Sequence, residues 1–308
     1  MPTPFVLSNQ LNSGMNSAGV DDDANPSRGS VRVPAKMGEF VQGVIDGDSF
    51  IVSAVFSSPA LQASAQVTEA SPNLLAGVFK GESSEHTAKT SQLISILAKT
   101  WGLDQPLHMQ LWNPSPVGKG FGTSSSDMSA AALALANWAG HDLEDSVLYR
   151  TLCQVERSDF LLRPDLLSLA YPEIGHILPL GSSPVLCVVY WDDAPEETVS
   201  TEAVAHLDQQ RGKHQSAYRD ILKSLTGPPD DFARAVTLSS VLNNRYLEKA
   251  TLSEAIRVAR QVGGGVISAH SGTTLGITVS DSDTAAWVIG RIQKLGLHPA
   301  LGQFGVVI

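Results

Sequence analysis

The residues from Pro114 to Gly140 constrain this chain most: Pro-Ser-Pro-Val-Gly-Lys-Gly-Phe-Gly-Thr-Ser-Ser-Ser-Asp, followed by an alanine-rich run. Gly118, Gly120 and Gly122 alternate with other residues, giving a tight loop whose backbone N–H groups are not shielded by side chains. From about Ser124 to Ala139 the pattern predicts a helix. Hydroxyls and Asp127 suit its start, and Gly140 suits the position just past its end. A glycine-rich loop running into a bare helix N-terminus gathers unpaired N–H groups and the positive end of the helix dipole, which makes it an anion site. Lys119 adds a mobile positive charge, and Thr123 to Ser126 offer oxygens to a metal ion. The stretch reads as a triphosphate cradle.

Two familiar phosphate loops do not fit. The P-loop places its lysine at the opening of the helix, whereas Lys119 sits among the glycines. The dinucleotide fingerprint spaces its glycines unevenly, whereas these three are evenly spaced by two positions, with one residue between each pair. A serine hydrolase is also disfavoured, because no Gly-x-Ser-x-Gly elbow surrounds any serine.

A chain of 308 residues, 43% hydrophobic and 17% charged, is long enough for two domains around a large core. Its net charge of −10, with no offsetting Lys/Arg cluster, disfavours nucleic acid and anionic membranes as partners. No apolar run is long enough to span a bilayer, and Met-Pro-Thr-Pro-Phe lacks the features of a signal peptide. Only two cysteines, Cys153 and Cys187, fit a reducing cytoplasm, and both lie in apolar contexts that suggest packing.

Residues 1–30 are rich in Ser, Asn, Gly and Asp and are expected to form a mobile tail in which Asp21 to Asp23 are a solvated charge run. Order is expected from Val31, with a strand and turn over Pro34 to Gly43 and short strands over Ser49–Phe56 and Leu61–Thr68. A helix is expected over about His86–Thr100, and a strand over His108–Trp112 that delivers the chain to the glycine loop. Beyond the alanine-rich helix come another helix, Leu143 to about Glu156, and an irregular stretch, Arg157 to Gly181. A composition change at Gly181-Ser182-Ser183-Pro184 marks the boundary between domains 31–183 and 184–308. In the second domain Val185–Tyr190 reads as a buried strand. Helical patterns follow over Thr201–Leu225, Asp231–Tyr246 and Thr251–Gln261, the last opened by a capping box from Thr251 to Glu254. A strand pair, Val266–Ala269 and Thr274–Val279, flanks the turn His270-Ser271-Gly272-Thr273. A helix, Asp283–Leu295, and a strand, Gln303–Ile308, close the chain. The class is α+β in two domains, the second a ferredoxin-like split βαβ sandwich, with the glycine loop at their junction.

The glycine loop resembles the ATP-binding motif of the GHMP kinases, with Phe121 and Thr123 as mild departures. Pro34-Ala35-Lys36 through Gly38-Glu39 resembles that family's first motif in shortened form, and Val266 to Gly276 lies where its third, glycine-rich motif belongs. Gly38-Glu39-Phe40-Val41-Gln42-Gly43, Val52-Ser53, the loop with Ser124 and Asp127, and Ala269-His270-Ser271-Gly272 are most similar to the L-threonine kinases of propanediol-utilisation type, which serve cobalamin synthesis. Glu156-Arg157-Ser158-Asp159 matches that branch's Glu-Pro-Ser/Thr-Asp element with the proline replaced.

The resemblance implies a GHMP-kinase-like fold with an N-terminal mixed βα domain, and phosphoryl transfer from ATP to a small hydroxyl substrate. It assigns ATP to Pro116, Gly118, Lys119, Gly120, Phe121, Gly122, Thr123, Ser124, Ser125 and Ser126, and Mg²⁺ to Ser124, with Ser125 as rival, and to Glu156. It implies a proton acceptor at Asp159 partnered by Lys36, with Asp165 as the rival base. A lysine beside a carboxylate favours its charged form and supports a developing alkoxide. Glu39, Gln42, His270, Ser271 and Gly272 are the expected substrate contacts, the last three as a wall for an amino-acid carboxylate. L-Threonine, homoserine or another small hydroxy compound, and a non-catalytic nucleotide-binding role, stay open at this point, as does self-association into a homodimer.

Overall fold

The computed structural model describes residues 30–57, 61–70, 77–80, 84–200 and 205–305. Residues 1–29 of the expected tail, with Asp21 to Asp23, and residues 306–308 of the expected last strand lie outside the described residues.

The strands divide between two sheets. β1 (Ser30–Pro34), β4 (Gln62–Glu69), β6 (Leu107–Trp112) and β5 (Gly77–Lys80) form the smaller one in that order, mixed because β5 and β6 run parallel. The larger is antiparallel throughout. It runs β12 (Ala300–Phe304), β9 (Leu186–Asp192), β11 (Thr274–Val279), β10 (Val266–Ser268), β2 (Lys36–Ile45), β3 (Asp48–Val55), β7 (Leu166–Tyr171), β8 (His176–Ser182). The four strands after residue 184 have the spatial order fourth, first, third, second, that of a split βαβ sandwich. The β10–β2 pairing, through Ser268 and Glu39, joins them to the strands that precede residue 184.

Helices α1 (Ser84–Trp101) and α2 (Thr123–Ala139) lie on the smaller sheet. Ala130, Ala131, Ala132, Ala134 and Ala136 are all buried, because α2 is enclosed between sheet and helix and only small side chains let the backbones approach so closely. The other helices are α3 (Asp145–Leu152), the short α4 (Asp208–Arg211), α5 (Gln215–Leu225), α6 (Pro229–Asn243), α7 (Leu252–Gln261) and α8 (Ser282–Gln293). Among the described residues no helix is long and apolar enough to cross a membrane.

Several local expectations are corrected. The stretch Arg157 to Gly181, expected to be irregular, contains the β7–β8 hairpin, whose Leu167 and Leu169 are buried against Phe50 and Val52 in the core beneath the larger sheet. The helix expected to reach Glu156 stops at Leu152, and the helix expected over Thr201–Leu225 is interrupted by the 3₁₀ turn Gly212–His214. The capping box at Thr251 does not form. Its hydroxyl instead donates to Asp193 and accepts from Trp191 Nε1 at 3.1 Å, while Glu254 accepts from Arg257. Asp127 lies one turn inside α2, where it accepts from Asn113 Nδ2 at 2.9 Å rather than capping the helix.

Strand β2 matters most to the site. All of its residues but the last are buried, and its pairing with β3 shifts register between Lys36 and Glu39 and again between Glu39 and Val41. Gly38, at φ +63°, sits in the first irregularity, where a Cβ would lie 2.6 Å from the Ser268 carbonyl oxygen. The irregularity brings the Lys36 and Glu39 side chains together, three residues apart in a strand. Phe40 anchors the opposite side, edge-on to Phe232 and Phe304 with ring centroids 5.2 and 5.4 Å away. Phe40→Ala is expected to cost about 3–5 kcal/mol, read as a fall in denaturant midpoint. A midpoint unchanged from wild type would show that this cluster does not fix β2.

Candidate active site

The glycine loop is held by its carbonyl oxygens. Val199 N donates to Gly118 O (3.0 Å), Thr273 N and Thr274 N to Lys119 O (both 3.2 Å), Gly38 N to Gly120 O (3.1 Å) and Lys36 N to Phe121 O (3.1 Å). Gly118, Gly120 and Gly122 all have positive φ (+73°, +100° and +66°), conformations that L side chains rarely adopt. A Cβ on Gly120 would lie 2.3 Å from that of Ala269, and a Cβ on Gly272 would lie 2.3 Å from Gly120 N. The turn after β10 is thus pressed directly onto the loop. With its carbonyls spent on neighbouring strands and no side chain capping α2, the loop offers the first-turn amides to a cleft of about 220 Å³.

Gly120 to Ser125 line that cleft with Lys36, Glu156, Asp159 and Ser271. Ser124 Oγ donates to Glu156 Oε1, and Lys89 Nζ donates to Glu156 Oε2 at 2.7 Å. Ser125 Oγ accepts from the Asp159 amide at 3.0 Å, tying the strand of residues after α3 to the start of α2. Asp159 Oδ1 accepts from Lys36 Nζ (2.7 Å) and Ser53 Oγ (3.0 Å). Lys36 is buried and donates to Glu39 as well, and Glu39 Oε2 accepts from the His270 amide at 2.6 Å. Burial by itself would pull the Lys36 ammonium down, but the Asp159 and Glu39 carboxylates outweigh it and raise its pKa, so it stays charged.

Other expected site residues lie elsewhere. Lys119 is no mobile charge over the cradle: its ammonium donates to the carbonyls of Ala194, Pro195 and Glu197 (2.9, 2.7 and 2.5 Å) and pairs with Asp192 at 2.8 Å. Three convergent carbonyls and a carboxylate satisfy an ammonium completely, so it brackets the loop from outside. Ser126 is also turned away, donating to Thr123 O. Pro116 is exposed, and its carbonyl accepts from the Thr123 hydroxyl at 3.3 Å. Asp165 is not brought to the cleft, because it is held by Arg163 at 2.8 Å near the surface.

Glu39 is committed to Lys36, and Gln42 to two arginines described below. His270 is fully buried, with Nε2 3.4 Å from Ser239 Oγ. Burial, with Arg211, Lys249 and Lys36 nearby, holds its imidazole well below its ordinary pKa, and hence neutral. Gly272 acts through its backbone, packed on the loop and accepting from Lys249 Nζ at 2.7 Å. Burial pulls that ammonium down to about 8. Of the expected carboxylate wall, Ser271 is the residue that lines the cleft.

Sequence reasoning missed Lys89, Arg211 and Lys249, and it assigned Arg157 no contact. The contacts Lys249–Gly272, Arg157–Asp208, Arg211–His270 and Lys89–Glu156 span 23, 51, 59 and 67 residues, and no local pattern announces them.

Residues 88–160, which include α2, the loop and Asp159, match the model of the GHMP kinases N terminal domain. The chain thus carries, over that segment, the N-terminal domain of the GHMP kinases. It is therefore an ATP-dependent small-molecule kinase, a phosphotransferase with an alcohol group as acceptor. It is 23% identical to an L-threonine kinase of Citrobacter freundii over 277 residues, covering 86% of this chain and 92% of the relative. It is 24% identical to an L-threonine kinase of Salmonella typhimurium over 262 residues, 79% of this chain and 80% of the relative. In fold it is similar to phosphomevalonate kinase of Streptococcus pneumoniae, with a TM-score of 0.66 at 13% identity over 89% of this chain and 98% of that one.

The kinases of this superfamily generally use ATP and Mg²⁺. The residues present fit both. The uncapped amides suit an anion, and Ser124 with Glu156 gives an all-oxygen pair at the cleft. Mg²⁺ takes one or two protein ligands beside phosphates, a number that such a pair could supply. Among the described residues no group of three or more His, Cys, Asp or Glu could hold a metal ion. Gly272→Ala must push the Lys119–Gly120 peptide, so kcat/KM for ATP is expected to fall roughly 100-fold with circular dichroism unchanged. An unaltered kcat/KM would mean that this contact does not position the loop.

Proposed function

We propose that this kinase passes the γ-phosphoryl group of ATP to the side-chain hydroxyl of a small hydroxy amino acid, L-threonine first among the candidates. The product would be O-phospho-L-threonine for cobalamin synthesis. The observation that carries this reading is the Asp159 carboxylate, held by Lys36 and Ser53, with its backbone amide tied to Ser125 Oγ, beside the uncapped amides and the Ser124–Glu156 pair. The names of the two relatives support the choice of threonine.

In this reading the amides of Gly120 to Ser125 bind the β- and γ-phosphates, and Ser124 and Glu156 hold the metal. Bound Mg²⁺ would neutralise charge on the phosphate oxygens. Lys89 keeps Glu156 oriented at that end of the cleft. Asp159 accepts the proton of the acceptor hydroxyl as that oxygen bonds to the γ-phosphorus and the bond to the bridging oxygen of ADP breaks. Lys36, pinned between two carboxylates, fixes Asp159 and places a positive charge beside the developing alkoxide. Glu39 does not line the cleft and serves Lys36 and the His270 amide.

A panel of small alcohols that includes L-threonine and L-homoserine, scored by acceptor-dependent ADP release and by mass of the product, tests the reading. Phosphorylation of L-threonine with the highest kcat/KM is the expected result, and preference for homoserine would move the substrate while leaving the chemistry. Asp159→Asn is expected to lower kcat by roughly 10²–10⁴-fold with ATP affinity within a factor of about two. Full turnover in that variant would remove Asp159 from the chemistry.

A further inference from the structure

With His270 and Gly272 turned away from the cleft, the acceptor's other end needs a different partner. Arg157 lines the same cleft as Asp159 and Lys36, and its guanidinium is braced from behind. Nη1 donates to Asp208 Oδ2 and stands 3.4 Å from the half-exposed Glu173 carboxylate, while Nη2 lies 3.2 Å from the Gln42 side-chain amide, whose oxygen is assigned to the arginine side because Arg157 and Arg211 can only donate. Arg211, fully buried behind it, shares both partners: Nη1 reaches Asp208 Oδ1 at 2.7 Å and the Gln42 oxygen at 2.9 Å. Its other contacts, Asn243 Oδ1 at 3.0 Å and the His270 carbonyl at 3.4 Å, are neutral.

Two guanidinium groups therefore share one part-buried carboxylate, that of Asp208, with Glu173 at the rim. With Glu173 the four charges balance, but that carboxylate is half exposed to water, so the inner wall of Arg157, Arg211 and Asp208 is left with one positive charge in a chain whose net charge is −10. The same wall holds buried polar atoms without a hydrogen-bond partner, Arg211 Nε and Asn243 Nδ2 among them, so its donors outnumber its acceptors. The other cations lining the cleft are engaged at the reacting end, Lys36 with Asp159 and Lys89 with Glu156.

We propose that Arg157, braced by Gln42, Asp208 and Arg211, binds the carboxylate of the acceptor and so selects hydroxy acids over neutral alcohols. A guanidinium fork matches a carboxylate in two parallel hydrogen bonds, and Arg157 follows directly after Glu156 and precedes Asp159 by two residues. A carboxylate held there orients its acceptor along the wall that leads to the proton-accepting group. Arg211 does not reach the ligand. It is a positioning residue that holds Asp208 and Gln42.

This inference rests on the small-alcohol kinase reading, and the experiment separates the two. Initial rates are measured for wild type, Arg157→Gln and Arg157→Lys with L-threonine and with L-threonine amide, which has the same hydroxyl and no carboxylate. Wild type is expected to favour the acid by roughly 10- to 100-fold in kcat/KM, the range of a charge-assisted pair. Arg157→Gln should erase that preference through KM for the acid, with KM for ATP within a factor of about two. Arg157→Lys, which keeps the charge and loses the fork, should retain part of it and keeps the test valid should the glutamine variant fail to fold.

Survival of the full preference in both variants overturns the proposal. So does an equal fall in kcat on acid and amide, which would place Arg157 on the transferring phosphate. A wild-type enzyme that prefers neutral alcohols refutes the carboxylate role and leaves the kinase chemistry standing. Turnover of no alcohol refutes both. If wild type prefers another hydroxy acid, that acid and its amide replace the threonine pair, and the same outcomes decide.

Discussion

Backbone meets backbone where the turn after β10 lies on the peptide between Lys119 and Gly120, and the geometry of the cleft follows from that contact. Only glycine at 120 and 272 allows it, because a Cβ at either position would overlap its neighbour at 2.3 Å. The approach lets Thr273 and Thr274 donate to the Lys119 carbonyl while β2 donates to the carbonyls of Gly120 and Phe121. A loop whose carbonyls are all engaged outward turns its amides to the cleft, and α2 begins there with no side chain of its own to satisfy them. Lys119, closing on the carbonyls of residues 194–197, locks the other edge.

A run of polar contacts extends from this cradle through the protein. Asp159 joins Lys36, Lys36 joins Glu39, Glu39 takes the His270 amide, and the His270 carbonyl takes Arg211. Arg211 and Arg157 then share Asp208, which returns the run to within two residues of Asp159. Burial makes each link consequential. A buried charge that loses its partner costs several kcal/mol, far more than an exposed pair contributes. The register irregularities of β2 make the run possible, since in a regular strand residues 36 and 39 would point to opposite faces.

How much of this was legible in the sequence depends on whether the deciding contacts are local. The loop and the helix after it could be read directly, because alternating glycines and a bare helix start are properties of neighbouring residues, and α2 begins one residue before the expected position. The order of the last four strands also followed from segment succession. Lys119 could not be read, because nothing within the loop shows that three carbonyls 75 to 78 residues later converge on it. The β7–β8 hairpin was hidden because its apolar positions are short and interrupted by Pro172, Gly175 and Pro179. Arg211 lies within the expected helical stretch Thr201–Leu225 with no local pattern to mark it, and it is fully buried where α4 packs against β2. Polar residues at sequence separations of 31 to 59 give no periodic signal.

The central claim is that the amides at the start of α2 are the groups that grip ATP. Hydrogen–deuterium exchange across residues 117–126, with and without ATP and Mg²⁺, measures those amides directly. Exchange in this segment should slow on addition of the nucleotide, and by more than in any other part of the chain. Unchanged exchange here, with protection arising elsewhere at saturating ATP, would contradict the account.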